Sequence, residues 1–150
     1  MTWKPHVTVA ALVEREGRFL VVEEEADGGV VYNQPAGHLD EGETLLEAVR
    51  RETLEETAWR FEPSAVLGVY RWHNPQNGYT YLRVCFIGHC DAHEAQRPLD
   101  TGILRALWLT RAELAELGTQ LRSPLVLRCV DDYLAGKRYP LALLTDLAED

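Results

Sequence analysis

The fold and the chemistry are read most directly from one stretch, Gly37-His38-Leu39-Asp40-Glu41-Gly42-Glu43-Thr44-Leu45-Leu46-Glu47-Ala48-Val49-Arg50-Arg51-Glu52-Thr53-Leu54-Glu55-Glu56-Thr57-Ala58-Trp59. Thr44-Leu45-Leu46-Glu47 fits a capping box, in which Thr and Glu side chains satisfy each other's free backbone N–H groups, so a helix runs from Thr44 to about Thr57. With about 100° per residue and Leu45 as zero, Val49 falls near 40°, Thr53 near 80° and Leu46 near 100°, so the apolar stripe centres on roughly 40–50°. Glu56 then falls at about 20°, Glu52 at about 340° and Glu55 at about 280°. An acidic helix usually turns its carboxylates to water. Here Glu56 lies inside the apolar stripe and Glu52 borders it, and burial raises the cost of ionising each member of a crowded set. A divalent cation relieves that cost, and hard carboxylate oxygens suit Mg²⁺ or Mn²⁺.

The preceding loop, Gln34-Pro35-Ala36-Gly37-His38-Leu39-Asp40-Glu41-Gly42, joins a strand to the helix N-terminus. Gly37 could expose its carbonyl to a metal because no side chain blocks approach; a tight turn needing positive φ is an equally good reason for either glycine. Outward from there, His6–Val13 and Arg18–Glu23 read as strands around a turn at Glu16-Gly17, and Val30–Tyr32 as a short strand after Asp27-Gly28-Gly29. Val66–Trp72 and Tyr79–Ile87 form a hairpin whose loop, His73-Asn74-Pro75-Gln76-Asn77-Gly78, is all turn chemistry. Leu104–Leu109 is a last strand. A helix follows Thr110 and ends at Gly118; another starts with Ser123 as N-cap and ends near Gly136. Strands, one helix, strands and two helices predict an α+β fold with a mixed sheet, one domain over residues 1–150.

The chain has 150 residues with 24 acidic against 15 basic side chains, a formal charge of −9. That balance argues against a nucleic-acid polymer or an anionic membrane as partner. No apolar run approaches the ~20 residues needed to span a bilayer. The N-terminal Met1-Thr2-Trp3-Lys4-Pro5-His6 has no signal-peptide core, and Cys85, Cys90 and Cys129 form no CxxC pair. A cytoplasmic monomer is expected. Cys129 has core spacing from Leu125 and Val126.

Gly37-x5-Glu43-x7-Arg51-Glu52-x2-Glu55-Glu56 resembles the Nudix box, GX5EX7REUXEEXGU, with U a bulky aliphatic. Thr53 stands where an aliphatic is expected and Ala58 where the second glycine is, with Trp59 in the final bulky position; both departures are expected to shift geometry slightly without abolishing chemistry. Lys4–Ala10, Asn33–Leu39, Leu121–Val126 and Arg138–Leu141 are similar to the NudJ-type phosphatases of that family, so the likeness covers roughly residues 3 to 144. The resemblance implies a Nudix α/β/α sandwich. It implies a Mg²⁺-dependent enzyme, with Mn²⁺ as a substitute, that hydrolyses phosphoanhydrides of nucleoside tri- and diphosphates and the pyrophosphate of hydroxymethylpyrimidine. By the same resemblance Glu52, Glu55 and Glu56 hold the metal with the Gly37 carbonyl, and Glu52 or Glu55 acts as general base. Arg51 orients Glu52, where spacing alone also allows a surface pair with Glu47. Glu43 supports the loop or helix end.

Relatives carry an acidic residue in the loop before the last strand where this chain has Gly102; Asp100 is the candidate replacement. For substrate, Gln34, His38, Tyr79 and Tyr81 are the chosen contacts, with Tyr32, Asn33, Trp72 and His73 as further cleft candidates, since aromatics stack on bases and amides read their edges. Lys4, Arg18 and Arg83 are read as solvated basic side chains that could touch phosphates. Two alternatives stand beside the NudJ-type reading. One is another Nudix activity, MutT-like or on dinucleoside polyphosphates; the other is a non-catalytic nucleotide-binding module, against which the intact set of box carboxylates counts.

Overall fold

A computed structural model describes residues 1–147. The elements are β1 (His6–Leu12), β2 (Glu14–Arg15), β3 (Arg18–Ala26), β4 (Gly29–Asn33), β5 (Ala36–His38), α1 (Leu45–Thr57), β6 (Trp59–His73), β7 (Thr80–His93), β8 (Ile103–Thr110), α2 (Arg111–Leu117) and α3 (Leu125–Leu134). One sheet runs β5-β1-β7-β6, with β1 and β7 parallel and the outer pairs antiparallel. In the other, β3 pairs antiparallel with β2, β4 and β8.

Side chains alternate across a strand, and here the alternation sorts the core into two halves. Val9, Ala11, Val13, Leu20 and Phe86 pack with Ala48 and Val49 of α1. Ala10, Leu12, Phe19, Val21 and Cys85 pack with Leu114 of α2 and Val126, Cys129 and Val130 of α3. The strands are therefore a middle layer between α1 and the α2/α3 pair, which is the expected sandwich with mixed strand directions. All three cysteines are free thiols buried in these layers. No helix among the described residues is long and apolar enough to cross a membrane.

Boundaries differ from the sequence reading at several places; β3 runs on past Glu23 to Ala26, and Glu14–Arg15 pairs with it as the short β2. Ala36–His38, expected as loop, pairs with β1 as the edge strand β5, fixing Gly37 opposite Val9. The hairpin strands reach from Trp59 and to His93, because register shifts at Arg60/Phe61, Pro63/Ala65 and Val66/Gly68 let pairing continue past Pro63. A proline is tolerated there because β6 is an edge strand. Finally, α3 begins at Leu125, whose N–H donates to Ser123 Oγ at 3.1 Å. Its end is as expected: Gly136 at φ +86° lets its own N–H reach Tyr133 O and that of Lys137 reach Asp132 O, both at 3.0 Å.

Candidate active site

The capping box forms as read. Thr44 Oγ1 accepts from the Glu47 N–H at 3.1 Å, and Glu47 Oε1 accepts from the Thr44 N–H at 3.0 Å. Glu47 is thereby engaged at the helix start and does not pair with Arg51. Arg51 instead points toward the loop that precedes α1. Its Nε and Nη2 donate to the two oxygens of Glu43 at 2.8 and 2.7 Å. Its Nη1 donates to Glu52 at 2.8 Å and Glu55 at 3.1 Å, and Nη2 also donates to the His38 carbonyl at 3.1 Å. A guanidinium has five N–H donors, and every one of them is used. Glu43 Oε1 also accepts from the Asp40 N–H at 2.9 Å, so this carboxylate ties loop, helix and arginine together. Arg51 holds the Glu43 carboxyl below its ordinary range, and Glu43, ahead of Glu52 and Glu55, keeps Arg51 firmly protonated.

The carboxylates behind Arg51 are in a different state. Glu56, only 9% exposed, lies against β5 and accepts the Ala36 N–H at 2.9 Å. No basic side chain touches it among the described residues, and burial pushes its carboxyl up to about 9. Burial also raises Glu52, with Arg51 opposing. Glu52 rests on Gly37, and a Cβ there would land on its carboxyl group. Gly37 has no positive φ, so close approach, not a left-handed turn, is what requires glycine; Gly42, at φ +80°, is the turn glycine. Asp100 reaches this cluster: its N–H donates to the Glu55 carbonyl at 3.0 Å, and desolvation together with the Glu55 charge raises its carboxyl. Gly102 takes φ +93° and offers its carbonyl to the Glu25 N–H at 2.8 Å.

Glu52 and Glu55 are drawn to Arg51 and Glu56 to Ala36, so no three His, Cys, Asp or Glu side chains among the described residues close on one point. The donor set nonetheless fits a divalent cation. A buried carboxylate that no cation neutralises, beside a second desolvated one and a glycine with an unobstructed backbone, is a cluster of hard oxygens short of positive charge.

The departures from the box have local explanations. Thr53 is fully buried and its Oγ1 donates to the Val49 carbonyl at 2.8 Å, so the hydroxyl is satisfied within the helix. Ala58 takes φ 63°, ψ 11°, the left-handed conformation in which glycine is at home. It closes α1 with its N–H on the Leu54 carbonyl, and the chain turns into β6 as a glycine would allow.

A cleft of about 410 Å³ opens from the carboxylates across one face of the first sheet. Glu52, Glu56 and Gly37 line one end, with His38 and Asp40; Tyr81, Trp72, Asn74 and Asn77 line the other, with Asn33, Arg83 and Arg122 between. Tyr81 stacks on Trp72, ring centres 5.8 Å apart and planes 22° apart. His38 sits at the rim, its ring nitrogen 3.2 Å from that of His6. Gln34 does not line the cleft. It is 2% exposed, its amide nitrogen donating to Val126 O at 2.8 Å and its oxygen accepting from Arg83 at 3.0 Å, so both ends are committed inside the protein. Tyr79 does not line it either: half exposed, it packs on the His6 ring at 4.4 Å. Tyr32 donates to Glu23 at 2.7 Å, His73 pairs with Thr80 at 3.1 Å, and Arg18 with Glu113 at 3.1 Å, all outside the cleft; Lys4 is exposed and outside it too.

Arg83 corrects the reading as a solvated side chain, being 5% exposed. The signal was present in the strand period: Tyr81, Arg83 and Cys85 share a face, and Cys85 is core. Arg122 and its partner Glu24, at 2.8 Å, also line the cleft. Arg122 lies in the stretch Leu121–Val126 that carries the family likeness but was not singled out there, and Glu24 had no sequence signal.

Comparison with known proteins agrees with this geometry. A model of the NUDIX domain matches residues 4–129. Phosphatase NudJ of Escherichia coli strain K12 is 40% identical over 144 residues, which is 96% of this chain and 93% of that protein. A NUDIX hydrolase from Nitrosomonas europaea superposes with a TM-score of 0.94 at 46% identity, covering 96% of this chain and 98% of that one. A MutT NUDIX hydrolase from Burkholderia pseudomallei shares the fold at 21% identity, with a TM-score of 0.72 over 87% of this chain and 98% of that one. The chain belongs to the Nudix family of hydrolases.

Proposed function

We propose that this hydrolase cleaves phosphoanhydride bonds of nucleoside tri- and diphosphates with a divalent cation, Mg²⁺ or Mn²⁺, and that hydroxymethylpyrimidine pyrophosphate is a further substrate. The observation that carries the cation is Glu56, a buried carboxylate with no basic partner, beside Glu52 and Gly37 at one end of a cleft. Glu52, Glu55 and Glu56 with the Gly37 carbonyl would hold the ion, and Asp100 would complete the set where Gly102 cannot. When bound, such an ion neutralises phosphate oxygens and acidifies a water.

The chain's own residues do the rest. Glu52, half-buried beside Gly37 in the cleft, or Glu55 on the same Arg51 guanidinium would take the proton of the attacking water on a carboxylate oxygen. Arg51 holds Glu52 and Glu55 in place through Nη1 and anchors them to the loop through Glu43. Arg51 and Glu43 are positioning residues in this scheme. His38, at the rim, faces the phosphates, and Tyr81 stacks under the base. The similarity over nearly the whole chain to a protein named phosphatase NudJ supports a phosphatase reading. The protein works as a cytoplasmic monomer in this proposal.

The test is phosphate release with excess Mg²⁺ across nucleoside tri- and diphosphates, hydroxymethylpyrimidine pyrophosphate, ADP-ribose and dinucleoside polyphosphates, with Glu56→Gln as control. Orthophosphate from the mononucleotides or the pyrimidine pyrophosphate, absent in the variant, is the expected result. Turnover of ADP-ribose or dinucleoside polyphosphates alone would refute the substrate assignment, and turnover of nothing would leave a binding module.

A further inference from the structure

Arg83 is a buried cation that no carboxylate meets among the described residues. Its Nη2 donates to Asn33 Oδ1 at 3.0 Å and its Nη1 to Gln34 Oε1 at 3.0 Å and, weakly, to Cys129 Sγ at 3.9 Å. Those contacts use three of the five N–H donors of a guanidinium and leave two. The group is also rigidly held. Gln34 is itself fixed to the Val126 carbonyl of α3, so the guanidinium is held inside the protein by an amide that is anchored in turn. A buried charge opposed only by amide dipoles is costly unless something completes it, and the open side of Arg83 is the cleft.

Register decides what meets it there. On the sheet face Arg83 lies between Thr8 of β1 and Tyr70 of β6, and the adjoining row is His6, Tyr81 and Trp72. The row beside Arg83 thus carries the stacked Tyr81–Trp72 pair, both of whose rings line the cleft. The phosphate-handling groups, Gly37, Glu52 and Glu56, are set by β5 and α1. A planar ring stacked against this pair would lie beside the row that holds Arg83 and its two spare N–H groups.

We propose that Arg83 is the specificity-determining residue for the ring of the substrate, selecting a base whose edge offers adjacent acceptors, as guanine does with O6 and N7. Adenine places an exocyclic N–H₂ donor at that edge, against a guanidinium that can only donate. Asn33 and Gln34 position the guanidinium and do not contact the ring. This inference rests on the nucleotide reading above and adds the base preference to it.

The experiment compares GDP with ADP, two purines that stack alike, in wild type and in Arg83→Lys, which keeps the charge but loses the planar fork. A guanine preference of about ten- to a hundredfold in kcat/KM is expected for wild type from a bidentate contact, collapsing toward one in the variant. Dissociation constants for the same two nucleotides, read by tryptophan fluorescence in metal-free protein, are expected to show the same preference without turnover. That arm separates the two readings, since base selection in binding, with neither nucleotide hydrolysed once Mg²⁺ is supplied, would sustain Arg83 and refute the enzymatic proposal. A wild-type ratio near one, in rate and in binding, overturns the proposal whether or not the variant folds. An equal loss for both nucleotides in a folded variant, with the ratio unchanged, would put the guanidinium on a phosphate and overturn it as well.

Discussion

Replacing Arg51 by lysine is the sharpest perturbation of the carboxylate cluster. Five N–H donors contact Glu43 twice, Glu52, Glu55 and the His38 carbonyl. Lysine brings three donors and no bidentate fork, so at least two contacts are lost. Charge-assisted hydrogen bonds contribute roughly 1.5–3 kcal/mol each. The Arg51 side chain is 27% exposed, so solvent screening reduces that share, and a loss of about 2–3 kcal/mol follows for the pair. At about 2–4 °C per kcal/mol for a chain of this size, Tm falls by about 4–12 °C. Glu52 loses its anchor, and a displacement of the order of 1 Å lowers turnover by about a hundredfold. Thermal melts and steady-state kinetics with Mg²⁺ read both effects. A positioning role predicts a lower kcat with KM nearly unchanged. A lower Tm with wild-type kcat would show that the arginine serves stability alone, and wild-type values of both would refute the network as a functional unit.

Gly37→Ala puts a methyl group where the Glu52 carboxyl rests, and an enforced shift of about 1 Å should cost about a hundredfold in kcat while circular dichroism stays native; unchanged activity would dismiss the close approach. Ala58→Gly relieves the left-handed alanine at φ 63°, worth about 1–2 kcal/mol against roughly 0.5–1 for glycine's greater freedom when unfolded. Tm should rise by about 1–4 °C, and a fall would mean Ala58 packs better than it strains. Asp100→Asn should slow turnover by tenfold or more if Asp100 completes the ligand set, and a wild-type rate would leave it a surface residue. In metal-free protein Glu56 binds its proton more tightly folded, near pH 9, than unfolded. Stability is therefore full below the ordinary carboxylate range and declines as pH rises from about 4.5 toward 9. Glu56→Gln should flatten that decline in urea titrations, and an equal slope would contradict the buried, proton-holding carboxyl.

The α+β class was legible from element order, strands, one helix, strands and two helices, and α1 from its clean wheel. The sorting of β1 and β3 between two core halves was not, because Val9–Val13 and Phe19–Val22 are continuous apolar runs in the sequence. Pairing past Pro63 was not, since register shifts in an edge strand leave no composition signal. β5 was missed because three residues, one a glycine, become a strand only by pairing with β1. In the site, Glu52 and Glu56 could be found from their angle to the apolar stripe. Gln34 could not be placed, because an amide beside a motif reads the same whether it faces substrate or, as here, clamps Arg83 to α3. Arg83 itself was open to inference from its strand neighbours, yet a basic residue in isolation reads as solvated.

The most direct measurement is calorimetric titration of Mg²⁺ into metal-free protein near pH 7.5 in two buffers of different ionisation enthalpy. With Glu56 protonated until a cation arrives, binding should release about one proton, and Glu56→Gln should abolish that release and weaken binding. Binding without proton release, equally tight in the variant, would contradict a cation held by Glu56 and its neighbours.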